Sequence, residues 1–173
     1  LGSDSENLRR WEEPIRRDRN HASVVIWSIA NEELAVHDTP QAARVALAMQ
    51  DLAKRLDPTR PVTYAANENN VFLGINSVIE VRGWNYHLGP HVDDYHAEHP
   101  RQPIIGTEQA SVVGTRGTYA NDYKRGHVNA LDVVWPGWSD TAESWWTFFA
   151  GRPWLSGAFA WTRTPPPPPK RQR

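Results

Sequence analysis

Hydrophobic positions along the chain follow two periods. Across residues 6–19, Leu8, Trp11 and Ile15 recur at helical spacing among charged residues, which predicts an amphipathic helix ended by Asn20-His21. Residues 23–29 (SVVIWSI) form a continuous apolar run rich in β-branched side chains and read as a strand buried on both faces, as in a parallel sheet. Thr39 then offers an N-cap with Pro40 at the first helical position. Val45, Ala48, Met49, Leu52, Ala53 and Leu56 give the following helix one apolar stripe, which Asp57-Pro58 stops. Further strands are expected over 61–66 (PVTYAA), 78–86 (VIEVRGWNY), 103–107 (PIIGT) and 155–161 (LSGAFAW). Short helices are expected over 91–98 and 141–150. Residues 111–140 read as a long irregular loop with a helical piece near 119–130. No tandem repeat is visible.

Strands alternating with helices predict a parallel α/β architecture. Each strand candidate ends in polar or aromatic groups: Asn31-Glu32, Asn67, Asn85-Tyr86-His87, Glu108-Gln109 and Trp161-Thr162. In a (β/α)8 TIM barrel the C-terminal strand ends build the active site, and such a barrel takes ~250 residues. Five strands are too few for eight. The expected fold is a partial (β/α)8 TIM barrel over residues 1–162, roughly its last five strands. The tail over 163–173 (RTPPPPPKRQR) is low-complexity and reads as a disordered end or a frame-change artefact. The alternative for it is a polyproline ligand for a proline-recognition domain.

Composition narrows the function classes. The 173 residues, 39% hydrophobic and 23% charged, suffice for a buried core. Nineteen Lys and Arg against 20 Asp and Glu give a net charge of −1, which excludes a generally basic nucleic-acid-coating protein and an acidic disordered chain. With no cysteine there is no disulfide framework, thiolate zinc site or cysteine nucleophile. The apolar stretches fall short of the ~20 residues of a membrane helix. Neither nucleic acid nor membrane is therefore an expected partner. The chain begins with Leu1, so a signal peptide is neither visible nor excluded, and cytoplasmic and exported locations both stay open. Nine tryptophans supply flat apolar faces for a core, or platforms for sugar rings or nucleobases.

Glu32 and Glu108 each follow an apolar strand directly. Two carboxylates facing one cleft can divide acid and nucleophile roles across a glycosidic bond; the alternative is two ordinary glutamates at loop starts. The surrounding words favour the first. Arg17-Asp18-x-Asn20-His21, then Trp27-Ser28-x-x-Asn31-Glu32, resembles the acid/base segment of glycoside hydrolase family 2, the family of β-galactosidases, β-glucuronidases and β-mannosidases. Asp57-Pro58-Thr59-Arg60-Pro61 is similar to the link before the family's next strand. Gly83-Trp84-Asn85-Tyr86 is similar to the strand of its active-site tyrosine, 103–108 (PIIGTE) to its nucleophile strand and 157–161 (GAFAW) to its last strand. The resemblance spans residues 9–162 in order. It departs after Trp161, where Arg163-Thr164 runs into proline instead of the family's usual Thr-Gly, Asp, Tyr and Gly-Glu-Pro. The family's β-sandwich domains and first barrel strands are also absent.

The resemblance implies that Glu32 is the general acid/base and Glu108 the nucleophile. It implies that Asn31 binds the sugar 2-hydroxyl, that Tyr86 donates to the nucleophile and that Trp161 forms a wall of the sugar subsite. The implied activity is that of a retaining β-glycosidase on a carbohydrate substrate, β-galactosidase first, with β-mannosidase or β-glucuronidase as alternatives. From another class, the tryptophans alone would suit a non-catalytic carbohydrate-binding module, or the chain is an inactive fragment. A homo-oligomer is expected only of the full-length protein.

His87, His91, His96 and His99 cluster with Asp93 and Asp94, but no H-E-x-x-H word is present. They read as a polar loop–helix face, with His87 lining the sugar cleft, and no metal site is assigned. Some β-galactosidases of the family use magnesium, with the acid/base glutamate among its ligands, so magnesium is an expectation for the full-length enzyme only. His21 reads as a buried hydrogen-bonded residue. Trp145, Trp146, Phe148 and Phe149 read as core packing, and 135–138 (WPGW) as a loop able to line an aglycone subsite.

Overall fold

The computed structural model describes residues 4–67, 72–112, 114–132, 138 and 140–162. Its elements in chain order are α1 (Asp4–Asp18), β1 (Trp27–Asn31), α2 (Pro40–Leu56), β2 (Val62–Ala66), α3 (Gly74–Val78), β3 (Val81–Asn85), α4 (Pro90–Glu98), β4 (Ile104–Val112), a 3-10 turn (Tyr123–Arg125), α5 (Ala142–Ala150) and β5 (Leu155–Thr162). The five strands form one sheet in the order β1-β2-β3-β4-β5, and every neighbouring pair is parallel. This is the alternating architecture that the sequence predicts. The tail at 163–173 and residues 133–137 of the aromatic loop lie outside the described residues.

Two apolar clusters hold the sheet against its helices. Ile15, Trp27, Ile29, Ala46, Ala53, Val62 and Tyr64 bury the α1–α2 side; Trp84, Val92, Tyr95, Ile104 and Leu155 bury the α4–α5 side. Every position of β2 and β3 is buried, as central parallel strands require. Thr39 caps α2 as expected, its side chain accepting from Ala42 N–H at 3.1 Å.

Several elements depart from the sequence expectation. The first strand begins at Trp27, four residues late, and Val25 is 60% exposed. The carbonyls before it are taken by Arg60, whose guanidinium donates to Arg19 O, His21 O and Val24 O at 2.5–2.9 Å. Arg60 in turn is held at 2.7 Å by the buried Asp57, which also accepts from Trp27 Nε1 at 3.0 Å and Thr59 Oγ1 at 2.6 Å. Burial pushes the Asp57 carboxyl up. The hydrogen bonds from Thr59, Arg60 and Trp27 outweigh that and hold it well below the usual carboxylate range. The 57–61 word is thus a latch on the loop entering β1. His21 lies on that loop and is exposed, 3.9 Å from Asp18, not buried.

The third strand starts at Val81 because residues 74–78 wind into α3. Gly74 has φ +50°, and a Cβ there would sit 1.9 Å from His37 O, so only glycine lets Ile75 N–H reach that carbonyl at 2.8 Å. The helical piece near 119–130 shrinks to one 3-10 turn, since Tyr119 and Tyr123 are exposed and supply no stripe to bury. On α5, Phe148 and Phe149 pack on the core while Trp146 is 65% exposed. Aromatics at 145, 146, 148 and 149 span too much of the helix circumference for all to face the sheet.

Candidate active site

Polar and aromatic residues at or near the C-terminal ends of the strands meet on one side of the sheet, with Glu108 inside β4, which runs on to Val112. Asn31, Glu32, Asn67, Tyr86, Glu108, Trp138 and Trp161 line one cleft of about 390 Å³. Asn31 comes from β1 and Trp161 from β5, so the sheet curls enough for its two outer strands to share a cavity. Both glutamates, Asn31, Tyr86 and Trp161 are brought together. His87 instead lines a neighbouring pocket of about 130 Å³ with Leu88, Gln109, Ala110 and Asp140, which shares Tyr86 and Trp138 with the cleft.

Backbone irregularity aims these side chains. Successive residues of a strand point to opposite faces. Glu32 (φ +51°), Tyr86 (φ +50°), His87 (φ +45°) and Ala110 (φ +70°) adopt the left-handed region, which costs a non-glycine residue about 1–3 kcal/mol. Glu32, Tyr86 and His87 sit just past the ends of β1 and β3, and Ala110 sits at a register shift within β4. Glu32 N–H donates to Ala65 O at 2.9 Å, and Glu33 N–H donates to the buried Tyr64 hydroxyl at 2.9 Å, so β2 fixes the turn after β1. Burial pushes the Tyr64 hydroxyl up to about 12, keeping it neutral as that acceptor. In β4 the register with β3 passes from Trp84↔Gly106 to Asn85↔Glu108, leaving Thr107 as an extra residue. Such bulges re-aim side chains beside functional sites.

The two carboxylates have different partners. Tyr86 Oη donates to Glu108 Oε2 at 2.6 Å, and Tyr86 N–H donates to Glu108 O at 2.8 Å. Asn85 Nδ2 donates to Glu32 Oε1 at 2.8 Å, and Asn85 Oδ1 accepts from Thr107 Oγ1 at 2.5 Å. Glu108 thus accepts a phenol O–H and Glu32 an amide N–H. Trp138 stands edge-on to Tyr86 with centroids 4.7 Å apart and closes one side of the cleft. Asn67 Oδ1 is buried with no hydrogen-bond partner among the described residues, an acceptor available at the cleft wall.

Asn85, Thr107 and a site position for Asn67 were not assigned from the sequence. The signal for Asn85 and Asn67 was their place at strand ends; nothing marked Thr107. The other histidines pack against aromatics: His96 stacks on Trp154 at 4.0 Å and His99 on Phe72 at 3.7 Å, while His91 Nε2 meets His87 O at 2.6 Å. Among the described residues no group of three or more His, Asp or Glu is set to hold a metal ion. Glu32 Oε1 accepts the Asn85 amide N–H, so this oxygen is already engaged by the protein and the described residues do not gather around it as magnesium ligands.

Comparison with known proteins identifies the family. The family described as glycosyl hydrolases family 2, TIM barrel domain, matches residues 3–130. The chain is 34% identical over 137 residues to β-galactosidase BoGH2A of Bacteroides ovatus, covering 61% of this chain and 16% of that protein. It is 29% identical over 167 residues to a β-glucuronidase of Bacteroides fragilis, covering 86% of this chain and 22% of that one. The solved β-D-glucuronidase of Dictyoglomus thermophilum superposes with a TM-score of 0.67 at 20% identity, over 92% of this chain and 28% of that structure, and so shares the fold. The chain thus spans less than a third of the length of these relatives. With a family match over most of its length and a sheet of five parallel strands, the chain belongs to glycoside hydrolase family 2 and lies within that family's TIM barrel domain.

Proposed function

We propose that residues 1–162 carry the catalytic pair of a retaining β-glycosidase that cleaves terminal O-glycosidic bonds, of β-galactosidase type, and that 163–173 is a tail without a part in the chemistry. The observation that carries this reading is the split environment of the two carboxylates in one cleft: Glu108 accepts a phenol O–H, and Glu32 accepts a neutral amide N–H.

Retaining hydrolysis needs a nucleophile and an acid ~5–5.5 Å apart. Glu108, oriented by the Tyr86 hydroxyl, attacks the anomeric carbon as a carboxylate. Glu32 gives its proton to the leaving oxygen as the glycosidic bond breaks. The resulting ester on Glu108 carries no charge, so Glu32 is then the only carboxylate of the pair and takes a proton from water. That water attacks the anomeric carbon and releases Glu108. Asn31 hydrogen-bonds the sugar 2-hydroxyl, Trp161 offers its ring face to the sugar, and His87 borders the site from the adjoining pocket.

The test separates the two carboxylates in an enzyme in which the rest of the barrel is present. Glu108→Gly removes the nucleophile, and azide restores turnover with an inverted glycosyl azide. Glu32→Gly keeps the first step on substrates with good leaving groups, and azide gives the retained product, since it attacks the intermediate without needing a base. The same stereochemistry from both variants would reverse or void the assignment. A panel of aryl β-galactoside, β-glucuronide and β-mannoside reads the sugar.

A further inference from the structure

We propose that Asn85 is a positioning residue that decides which oxygen of Glu32 carries the transferred proton. It holds Oε1 and leaves Oε2 to protonate the leaving group and later to deprotonate water. The inference rests on the glycosidase reading above and extends it to a residue outside the assigned pair.

Three observations carry it. Asn85 is 1% exposed, and its Nδ2 lies 2.8 Å from Glu32 Oε1 across 53 residues of sequence. Its orientation is set from the other end, where Thr107 Oγ1 donates to Oδ1 at 2.5 Å. Thr107 is the residue that the β4 bulge adds immediately before Glu108, so the acid's partner is anchored on the nucleophile's own strand. On β3, Gly83 and Asn85 share the inner face, whereas Arg82 and Trp84 face Tyr95 of α4.

The chemistry suits the task. A carboxyl group presents two oxygens, and only the one bearing the proton can act as acid. An N–H donor binds a carboxylate oxygen or the carbonyl oxygen of a neutral acid, but not the O–H oxygen through its proton. Asn85 therefore satisfies Glu32 Oε1 in both protonation states, and the proton is confined to Oε2. An amide does not titrate, so this partner stays the same through acid and base steps. A carboxylate or imidazole at position 85 would instead change charge with its surroundings or compete for the proton.

The experiment uses the full-length enzyme containing this chain and compares wild type with Asn85→Ala and Thr107→Val across β-glycosides of graded leaving groups. For alkyl glycosides, which need the acid, kcat/KM is expected to fall about 30-fold in Asn85→Ala and about fivefold in Thr107→Val, a fraction of the full acid–base contribution. For dinitrophenyl glycosides, whose leaving group needs no proton, kcat/KM falls no more than about threefold. Their kcat drops as the glycosyl-enzyme accumulates, and azide restores it. Asn85→Asp is expected to be worse than Asn85→Ala on alkyl substrates, because it sets a third carboxyl group against Glu32. Thr107→Val keeps the shape of the site and serves as the variant if Asn85→Ala fails to fold. Equal loss across leaving groups in either folded variant, or no loss, overturns the proposal while leaving the glycosidase reading intact. An enzyme inactive on every glycoside overturns the glycosidase reading and this inference with it.

Discussion

Asn85 and Tyr86 are adjacent in sequence, yet their side chains hold different carboxylates of the same cleft, Glu32 at 2.8 Å and Glu108 at 2.6 Å. A regular strand would send them to opposite faces. The left-handed backbone of Tyr86 turns the second side chain back toward the cleft, and the bulge at Thr107 brings Glu108 level with Asn85. Local backbone strain is thereby spent on letting one dipeptide serve both glutamates.

Tyr86→Phe removes the O–H that Glu108 accepts and little else, because the ring and its edge contact with Trp138 remain. In the active enzyme kcat is expected to fall about 10²-fold, the scale of losing one preorganised donor. Thermal stability changes by about 1 kcal/mol or less. Steady-state kinetics and a melting curve on the same preparation check this; kcat at the wild-type level would remove Tyr86 from the proposed mechanism.

Asp57 predicts a pH dependence of stability. Its folded carboxyl titrates below the ordinary value of 3.8, so its contribution is complete above that value and is lost as pH falls toward the folded one. Asp57→Asn is expected to cost about 3 kcal/mol at pH 7, because it leaves Arg60 without its buried anion. The gap between wild type and variant should narrow below about pH 4, where the unfolded wild type takes up a proton that the folded form resists. Urea unfolding at pH 7, 5 and 3 measures it. A gap that stays constant to pH 3 would show that the Asp57 charge contributes nothing.

Gly83→Ala tests how closely the strands approach inside the sheet. A Cβ at this position would stand 2.2 Å from Tyr64 O and 2.9 Å from Thr107 Cγ2. The nearest obstacle is backbone, so β2 and β3 must separate, at an expected cost of about 3 kcal/mol. The shift also moves Thr107 and hence Asn85, so alkyl-glycoside activity should fall with stability. A variant with wild-type stability would mean that the sheet yields there easily.

The sequence by itself determined the elements that local burial writes into a pattern. The fourth strand runs on to Val112 past its expected end at residue 107, so Glu108 lies within it; the stripe of α2 with its Thr39 cap, the alternation of strand and helix, and Glu32 directly after β1 appear in the structure as expected. These are readable because each depends on residues within one or two turns of one another. The family words placed Tyr86 beside Glu108 for the same reason that they placed the strands: they lie in order along the chain.

Tertiary structure decided what distant partners impose. The run at 23–29 has strand composition throughout, but Arg60 takes the carbonyls before Trp27 and delays β1. Residue 85 shows no local sign of meeting residue 32, because a hydrogen bond across 53 positions depends on how β1 and β3 are spaced by β2. The positive φ of Glu32, Tyr86 and Ala110 runs against the preference of each residue, so no propensity foretells it. Parallel pairing and its bulges hold these residues there, since such strain persists only where the surrounding contacts over-determine it.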